Sequence, residues 1–332
     1  MSSTTLLHLL NSQLQNQLAR TTRTGFVLVV VHIDESAVDP TVPPGEESMR
    51  AVQERFPGLG EYLVVKLEGI YEFSGAVKAF EIGVGGSGRG GGGGDWKEQL
   101  QGLLGALPTP TSRMDVLQIL RTRLITGLAR KHACEAILWG DTTTRLAEKT
   151  LAETAKGRGF SIPWQTSDGD SPYGVKFLYP LRDLLKKELA VYVLLDVPTP
   201  LRPLCFGVAE EEEGKRKYAA VGKGITIDEL MTQYFEGIER QYPSIVANVV
   251  RTAGKLVTEG GMVRIRRCKI CGLPRDGGGG ELVLDAETKF GESSSGEVNG
   301  SGSGNGKGRE GDDMCYGCAR SVHGAKPYEW PL

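Results

Sequence analysis

Short apolar runs that alternate with helical patterns constrain the fold of this chain more than any other feature. The run from Phe26 to Ile33 is almost continuously apolar, which is typical of a strand covered on both faces. Further strands are predicted at Tyr62–Leu67, Glu135–Trp139 and Lys176–Tyr179. Apolar residues at helical spacing predict helices over 5–19, 46–56, 111–131, 142–156 and 183–195. This alternation predicts an α/β fold with a parallel sheet and helices on both faces.

The first three predicted strands are expected to be parallel neighbours in that sheet. Their carboxyl ends would then place Gly140 and Asp141 beside the amino end of the first helix, at Ser3 and Thr4. Ligands of open parallel sheets bind at this edge, and helix N-termini attract anions. These residues and Thr142 are therefore candidates for binding a nucleotide or a nucleic acid, although Asp141 or Thr142 could equally serve only as a helix cap.

Three arginines are further candidates for contacting nucleotide or tRNA. Arg182 follows the fourth predicted strand, where it could meet a phosphate or remain an ordinary surface residue. Arg121 and Arg123 lie on one predicted helix with Arg130 and Lys131. Such a basic face is typical either of a tRNA-binding surface or of a solvated helix.

Glycine-rich tracts and a change of pattern divide the chain. The tracts at about 83–94 and 276–313 cannot bury enough apolar surface to offset their ordering entropy, which predicts two disordered insertions. After several prolines near position 200 the pattern becomes helical over 227–257, with a break near Pro243. We expect residues 1–260 to form the α/β domain and 261–332 to form a small zinc-ribbon-like segment.

Two Cys-x-x-Cys pairs, Cys268 with Cys271 and Cys315 with Cys318, form the most specific chemical pattern. Together they offer four thiolates, a closed tetrahedral shell for one zinc ion with Zn–S distances of about 2.3 Å. A closed shell indicates a structural role, while an iron–sulfur cluster or redox-active dithiols are alternatives. Basic neighbours that would offset the thiolate charge are Arg266, Arg267 and Lys269.

The remaining cysteines, Cys134 and Cys205, have apolar neighbours and are predicted to be small buried side chains. No apolar run reaches about 18 residues, and the first residues lack the pattern of a secretory signal. These features predict a cytoplasmic chain with no membrane partner, in a compartment where thiols stay reduced. Since the net charge is −2, any basic surface for RNA must be local.

Six segments of the predicted α/β and helical regions are informative together. They are Arg121–Thr126, Trp139–Thr142, Leu146–Lys149, Lys156–Gly159, Tyr179–Asp183 and Pro243–Arg251. In this order, and with the paired cysteines, they resemble the cytoplasmic tRNA 2-thiolation protein 2 family. The resemblance covers about residues 2–75, 111–275 and 314–330.

The resemblance implies a fold like that of PP-loop ATP pyrophosphatases, which are adenine nucleotide α-hydrolase-like proteins. It also implies a subunit required for 2-thiolation of the wobble uridine in the tRNAs for Lys, Glu and Gln. The implied partners are tRNA and a catalytic paralogue, cytoplasmic tRNA 2-thiolation protein 1, in a heterodimer. That paralogue would transfer sulfur from a thiocarboxylated ubiquitin-like modifier, an indirect partner that also links the system to protein urmylation.

Three departures from catalytic PP-loop proteins favour a non-catalytic subunit. Only Ser2–Thr5 precede the first helix, so the phosphate-binding turn and its strand are either absent or outside the given sequence. Asp141 and three threonines stand where catalytic relatives carry a histidine and paired aspartates. The segment 121–125 also lacks the cysteine pair of the catalytic paralogues.

No catalytic residue is therefore assigned, and the missing phosphate cradle argues against ATP as a cofactor. Two rival functions remain at the level of the sequence. One is a self-sufficient ATP-dependent tRNA sulfurtransferase, which needs an ATP site and a reactive thiol. The other is a zinc-ribbon RNA-binding protein without a role in thiolation.

Overall fold

The computed structural model describes residues 1–39, 45–73, 80–81, 96–195, 201–205, 224–256, 267–274, 314–325 and 329–330. The glycine tracts predicted to be disordered, and Arg266, lie outside these described residues. The helices are α1 (Ser2–Thr21), α2 (Gly45–Arg55), α3 (Ile70–Phe73), α4 (Trp96–Ala106), α5 (Pro110–Lys131), α6 (Thr143–Ala155), α7 (Ile162–Thr166), α8 (Lys186–Leu195), α9 (Ile227–Gln241), α10 (Pro243–Ala253) and α11 (Tyr316–Val322). The strands are β1 (Leu28–Asp34), β2 (Gly60–Lys66), β3 (Phe80–Glu81), β4 (Ala136–Leu138), β5 (Gly169–Asp170), β6 (Lys176–Leu178) and β7 (Glu329–Trp330).

Local capping sets the ends of the long helices. The Thr109 hydroxyl accepts a hydrogen bond from the Ser112 backbone N–H, and Pro110 occupies the first turn of α5. Thr226 and Glu229 form a capping box at the start of α9. Pro243 cannot continue α9, so it begins the separate helix α10, as its position in the sequence predicts.

The β1 strand pairs in parallel with β2, from Leu28 opposite Gly60 to Asp34 opposite Lys66. Side chains on both of its faces are covered. Val31 and Ile33 pack against the main core, whereas Leu28 and Val30 pack against a second cluster that includes side chains of α1, α2 and α8. The prediction of a parallel arrangement with helices on both faces is therefore confirmed.

One part of the predicted strand order is wrong. The hydrogen-bonded neighbour of β4 is β6, in parallel register from Ala136 opposite Lys176 to Leu138 opposite Leu178. Neither β1 nor β2 forms a ladder with β4 in the described structure. The reason is that β4, α6 and β6 form a local βαβ unit, whose two strands pair directly with each other. The short strand β5 adds to β6 in antiparallel fashion.

The main core also contains the cysteine-bearing segments. Leu120, Leu124 and Leu146 are completely buried there together with Cys318, and Cys268 and Ile270 are almost so. The domain boundary near residue 260 stays a prediction, but the described residues on both sides of it share one core. An unpredicted antiparallel pair, β3 with β7, joins Phe80 to Trp330. None of the described helices combines the length and apolar character that crossing a bilayer requires.

Candidate metal centre and strand-edge site

The four cysteines of the two Cys-x-x-Cys pairs converge on one point in the core. Their sulfur atoms all lie within 4.8 Å of one another, and the Cys271 and Cys315 sulfurs are 3.8 Å apart. Each of the four residues is at most 2% exposed. Four ligands at about 2.3 Å from a tetrahedral ion would be separated by about 3.8 Å, so the donor set and spacing fit a single zinc ion.

The first pair is held by a tight turn. The Cys268 N–H donates to the Leu273 carbonyl and the Gly272 N–H donates to the Cys268 carbonyl, both at 2.8 Å. Gly272 has a φ of +74°, which favours glycine. Tyr173 supports the turn, because its hydroxyl donates to the Cys271 carbonyl at 2.6 Å.

The second pair is held by the start of α11. Cys315 caps this helix, and its sulfur accepts a hydrogen bond from the Cys318 N–H at 3.5 Å. Gly317 packs so closely on the Lys156–Arg158 turn that a Cβ there would lie 2.8 Å from the Lys156 carbonyl oxygen. A side chain larger than hydrogen would therefore push α11 away from this turn.

The thiols titrate together because they are so close. Hydrogen bonds from Cys271, Cys315 and Cys318 lower the pKa of Cys268. Contacts with Cys268, Cys271 and Cys315, together with burial, raise the pKa of Cys318. Four adjacent thiolates become stable together only when a cation lies among them. The chemistry of the donor set thus favours a metal ion over four free thiols.

A buried ionic network anchors the second cysteine pair. Its central residue, Arg158, was not among the site residues predicted from the sequence. Arg158 is 2% exposed and donates to both Asp115 and Glu153. Its guanidinium also lies 3.9 Å from the Cys318 sulfur. Ser321 of α11 donates to Asp115 at 2.6 Å, so the network binds α5, the end of α6 and α11 together.

Arg123 lies beside the first cysteine pair rather than on an open helix face. Its guanidinium contacts Gly272, beside Tyr173 and Cys271. Burial lowers the pKa of Arg123, an effect that those neighbouring groups partly offset. Arg121, two residues earlier, instead forms an ion pair with Glu35 on the opposite side of α5 from this turn.

The strand-edge candidates do meet where the sequence predicted. A Cβ on Gly140 would lie 2.9 Å from both the backbone nitrogen and the hydroxyl oxygen of Ser3. The end of β4 is thus in contact with the amino end of α1. Thr4 turns away from this contact, since its hydroxyl donates to the Leu204 carbonyl at 3.3 Å.

Polar groups at this edge already have protein partners. Asp141 lies 3.8 Å from the Lys149 ammonium, and the Thr142 hydroxyl caps α6 by accepting from the Arg145 N–H. Arg182 faces Asp168 at 3.7 Å. Thr143 donates to the Arg182 carbonyl at 2.6 Å. The helix-capping interpretation therefore accounts for the observed contacts of Thr142.

Comparison with known proteins agrees with the cysteine pattern. A family model described as "Cytoplasmic tRNA 2-thiolation protein 2" matches residues 226–320, which include all four ligand cysteines. A relative of that name from Phaeosphaeria nodorum is 42% identical over 97% of this chain and 78% of its own length. The chain belongs to the cytoplasmic tRNA 2-thiolation protein 2 family. Another member, from Pyrenophora tritici-repentis, is 39% identical over 97% of this chain and 79% of its own.

A solved structure also aligns with this member of the cytoplasmic tRNA 2-thiolation protein 2 family. It is the U34-tRNA thiolase NcsA from Methanococcus maripaludis with its [4Fe-4S] cluster. The alignment has a TM-score of 0.47 and 12% sequence identity, and it covers 81% of this chain and 75% of that chain.

The two other cysteines of this family member differ from each other. Cys205 is buried as predicted, in the cluster that packs against α1. The prediction that Cys134 is buried is wrong, because it is only half-buried. It follows Ala133, which has a φ of +51°, in the turn before β4. Cys134 therefore lies at the amino end of β4, opposite the edge formed by Gly140 and Ser3.

Proposed function

We propose that this chain is a subunit required for 2-thiolation of the wobble uridine of tRNA in the cytoplasm. The observation that carries the proposal is the 42% identity with a cytoplasmic tRNA 2-thiolation protein 2 over 97% of the chain. A match of this extent covers the α/β region and the metal centre alike. It therefore favours a thiolation subunit over an unrelated zinc-ribbon RNA-binding protein.

The finer assignment follows what the family resemblance implies. The chain would act with the catalytic paralogue, which would take sulfur from a thiocarboxylated ubiquitin-like modifier. The substrates would be the tRNAs for Lys, Glu and Gln. Arg121 and Arg182 remain candidate tRNA contacts in this proposal, since both side chains are partly exposed beside their carboxylate partners.

A non-catalytic role for this subunit is supported because its candidate binding residues are already ion-paired and most of its cysteines are buried. Adenylation of a uridine oxygen needs donors that stabilise the charge of a triphosphate. At the edge near Gly140, Asp141 and Arg182 are each paired with an oppositely charged residue. Sulfur transfer needs an accessible thiolate. The four clustered cysteines are buried, as is Cys205.

The cofactor in this proposal is one structural zinc ion held by Cys268, Cys271, Cys315 and Cys318. A cubane iron–sulfur cluster, with irons and sulfides at alternate corners, would spread four thiolates further apart than the 4.8 Å limit observed. Zinc would crosslink two chain segments and supply no redox chemistry there. The protein would hold the ion through the Gly272 turn and the amino end of α11.

Purified proteins can test whether catalysis requires the paralogue. We expect the isolated chain neither to convert ATP to AMP nor to thiolate tRNA, and we expect activity to appear when the catalytic paralogue is added. The measurement is the yield of 2-thiouridine by mass spectrometry for each subunit and for the complex. Thiolation by the isolated chain would instead support the self-sufficient sulfurtransferase.

The half-buried cysteine offers a sharper test of the same assignment. We expect Cys134→Ala to leave thiolation by the complex within about twofold of the wild-type rate, because this thiol lies away from the Gly140 edge. Rates should be compared at equal concentrations of assembled complex. A loss of product from a complex that still assembles would show that this subunit carries sulfur chemistry.

A further inference from the structure

We infer that Arg123 is a counter-charge of the metal centre rather than a contact for RNA. This inference rests on the proposed zinc ion. Arg123 lies on α5, a helix whose sequence suggested a basic face, but its guanidinium points to the turn that carries Cys268 and Cys271. It would act as a positioning residue that stabilises the thiolates and the turn, without binding the ion itself.

The surroundings of Arg123 differ from those of three arginines that have carboxylate partners. Arg121 pairs with Glu35, Arg145 with Glu148, and Arg158 with Asp115 and Glu153. Within the described ranges, no carboxylate lies within ion-pair distance of the Arg123 guanidinium. A partly buried arginine without such a partner is costly unless another negative group faces it.

The cysteine centre can provide that negative group. Four thiolates around a divalent ion carry a net charge of −2 inside the core, a charge that needs compensation in a low-dielectric environment. Arg158 approaches the centre from the side of Cys318, but two carboxylates already share its charge. Arg123 approaches from the side of the first cysteine pair, where its guanidinium packs on Gly272, and no carboxylate among the described residues pairs with it.

The turn of the first cysteine pair leaves room for the Arg123 side chain. A Cβ on Gly272 would lie 3.4 Å from the central carbon of the Arg123 guanidinium and 3.0 Å from the Tyr173 ring. Glycine at this position is thus favoured by its positive φ and by the close approach of Arg123. The hydrogen bond from Tyr173 to the Cys271 carbonyl fixes the same turn from the neighbouring side.

The test compares Arg123→Met, Arg123→Lys and the control Arg121→Met in the full chain. Arg121 is two residues away on the same helix and pairs with Glu35, so its loss tests the basic face without touching the cysteine turn. Zinc per chain and the rate of zinc transfer to a chelator are measured for each protein. We expect Arg123→Met to weaken zinc retention by about 10- to 100-fold, the range typical of groups that support metal ligands.

Arg123→Lys should restore part of that loss because it keeps the charge, and Arg121→Met should retain zinc like the wild type. Zinc retention by Arg123→Met equal to that of the wild type would overturn the inference, and weaker tRNA binding by the same variant would then favour the RNA contact. A wild-type chain without zinc would overturn the proposed cofactor first. If Arg123→Met does not fold, Arg123→Gln takes its place, because it removes the charge but keeps a polar side chain, and it should also release zinc faster than Arg123→Lys.

Discussion

Cys268→Ser is expected to empty the metal centre and to release both cysteine-bearing segments from the core. The three remaining thiols no longer close a tetrahedral shell, and they already compete for protons at their close spacing. Structural zinc contributes about 10–16 kcal/mol of binding free energy in isolated zinc fingers, so this is the largest effect of a single substitution that we expect. Zinc per chain should fall from one to nearly zero.

Hydrogen exchange shows which segments lose their structure in Cys268→Ser. Amides of residues 267–274 and 314–325 should lose protection in Cys268→Ser, while those of the β1–β2 pair should change little. Cys134→Ser is the matched control, because this thiol is half-buried and lies outside the cluster. A Cys268→Ser protein that kept one zinc and normal protection would contradict the assigned ligand set.

Arg158→Met should destabilise the folded chain by about 3–5 kcal/mol, the usual cost of leaving buried charges without their partner. The substitution removes the arginine that Asp115 and Glu153 share, and it leaves these carboxylates, which are 1% and 5% exposed, with Lys156 as their one cationic partner among the described residues. The free energy of unfolding in urea measures this loss. Lys131→Met is the control, since its ion pair with Glu72 is exposed and should contribute less than about 1 kcal/mol.

Arg158→Met should also change the acid sensitivity of the protein. Burial alone would raise the pKa of Glu153, but the charge and hydrogen bonds of Arg158 hold it at about 2, below the ordinary 4.5. The Glu153 contribution to stability is therefore present above about pH 4.5 and is lost as pH falls towards 2. In Arg158→Met the largest lowering cause is gone and only Lys156 and Gln165 still lower this pKa, so acid unfolding should begin at higher pH. Equal stability of the two proteins from pH 3 to 7 would contradict this role of Arg158.

Several parts of the fold could be predicted from local sequence because local physics determines them. The apolar run at Phe26–Ile33 and the break at Pro243 each specify an element without help from distant residues, whereas the cap of α5 lies at Thr109 and not at Thr111 or Ser112 as the sequence suggests. The convergence of four cysteines could also be predicted, because two Cys-x-x-Cys pairs have few stable uses other than a shared ion.

Features that depend on tertiary contacts could not be predicted in this way. The pairing of β4 with β6 depends on how α6 returns the chain, which the alternation of elements does not specify. Arg123 and Arg121 look alike in the sequence, yet one faces the cysteine turn and the other faces Glu35. Arg158 had no signal of its own, because its carboxylate partner Asp115 is 43 residues away in the chain.

The most direct test of the central claim is the 2-thiouridine content of tRNA from cells that lack this chain. The account predicts that wobble 2-thiouridine falls below the level of detection by nucleoside mass spectrometry. The wild-type gene should restore it, and Cys268→Ser should not. Normal 2-thiouridine in the tRNAs for Lys, Glu and Gln without the chain would contradict the proposed function.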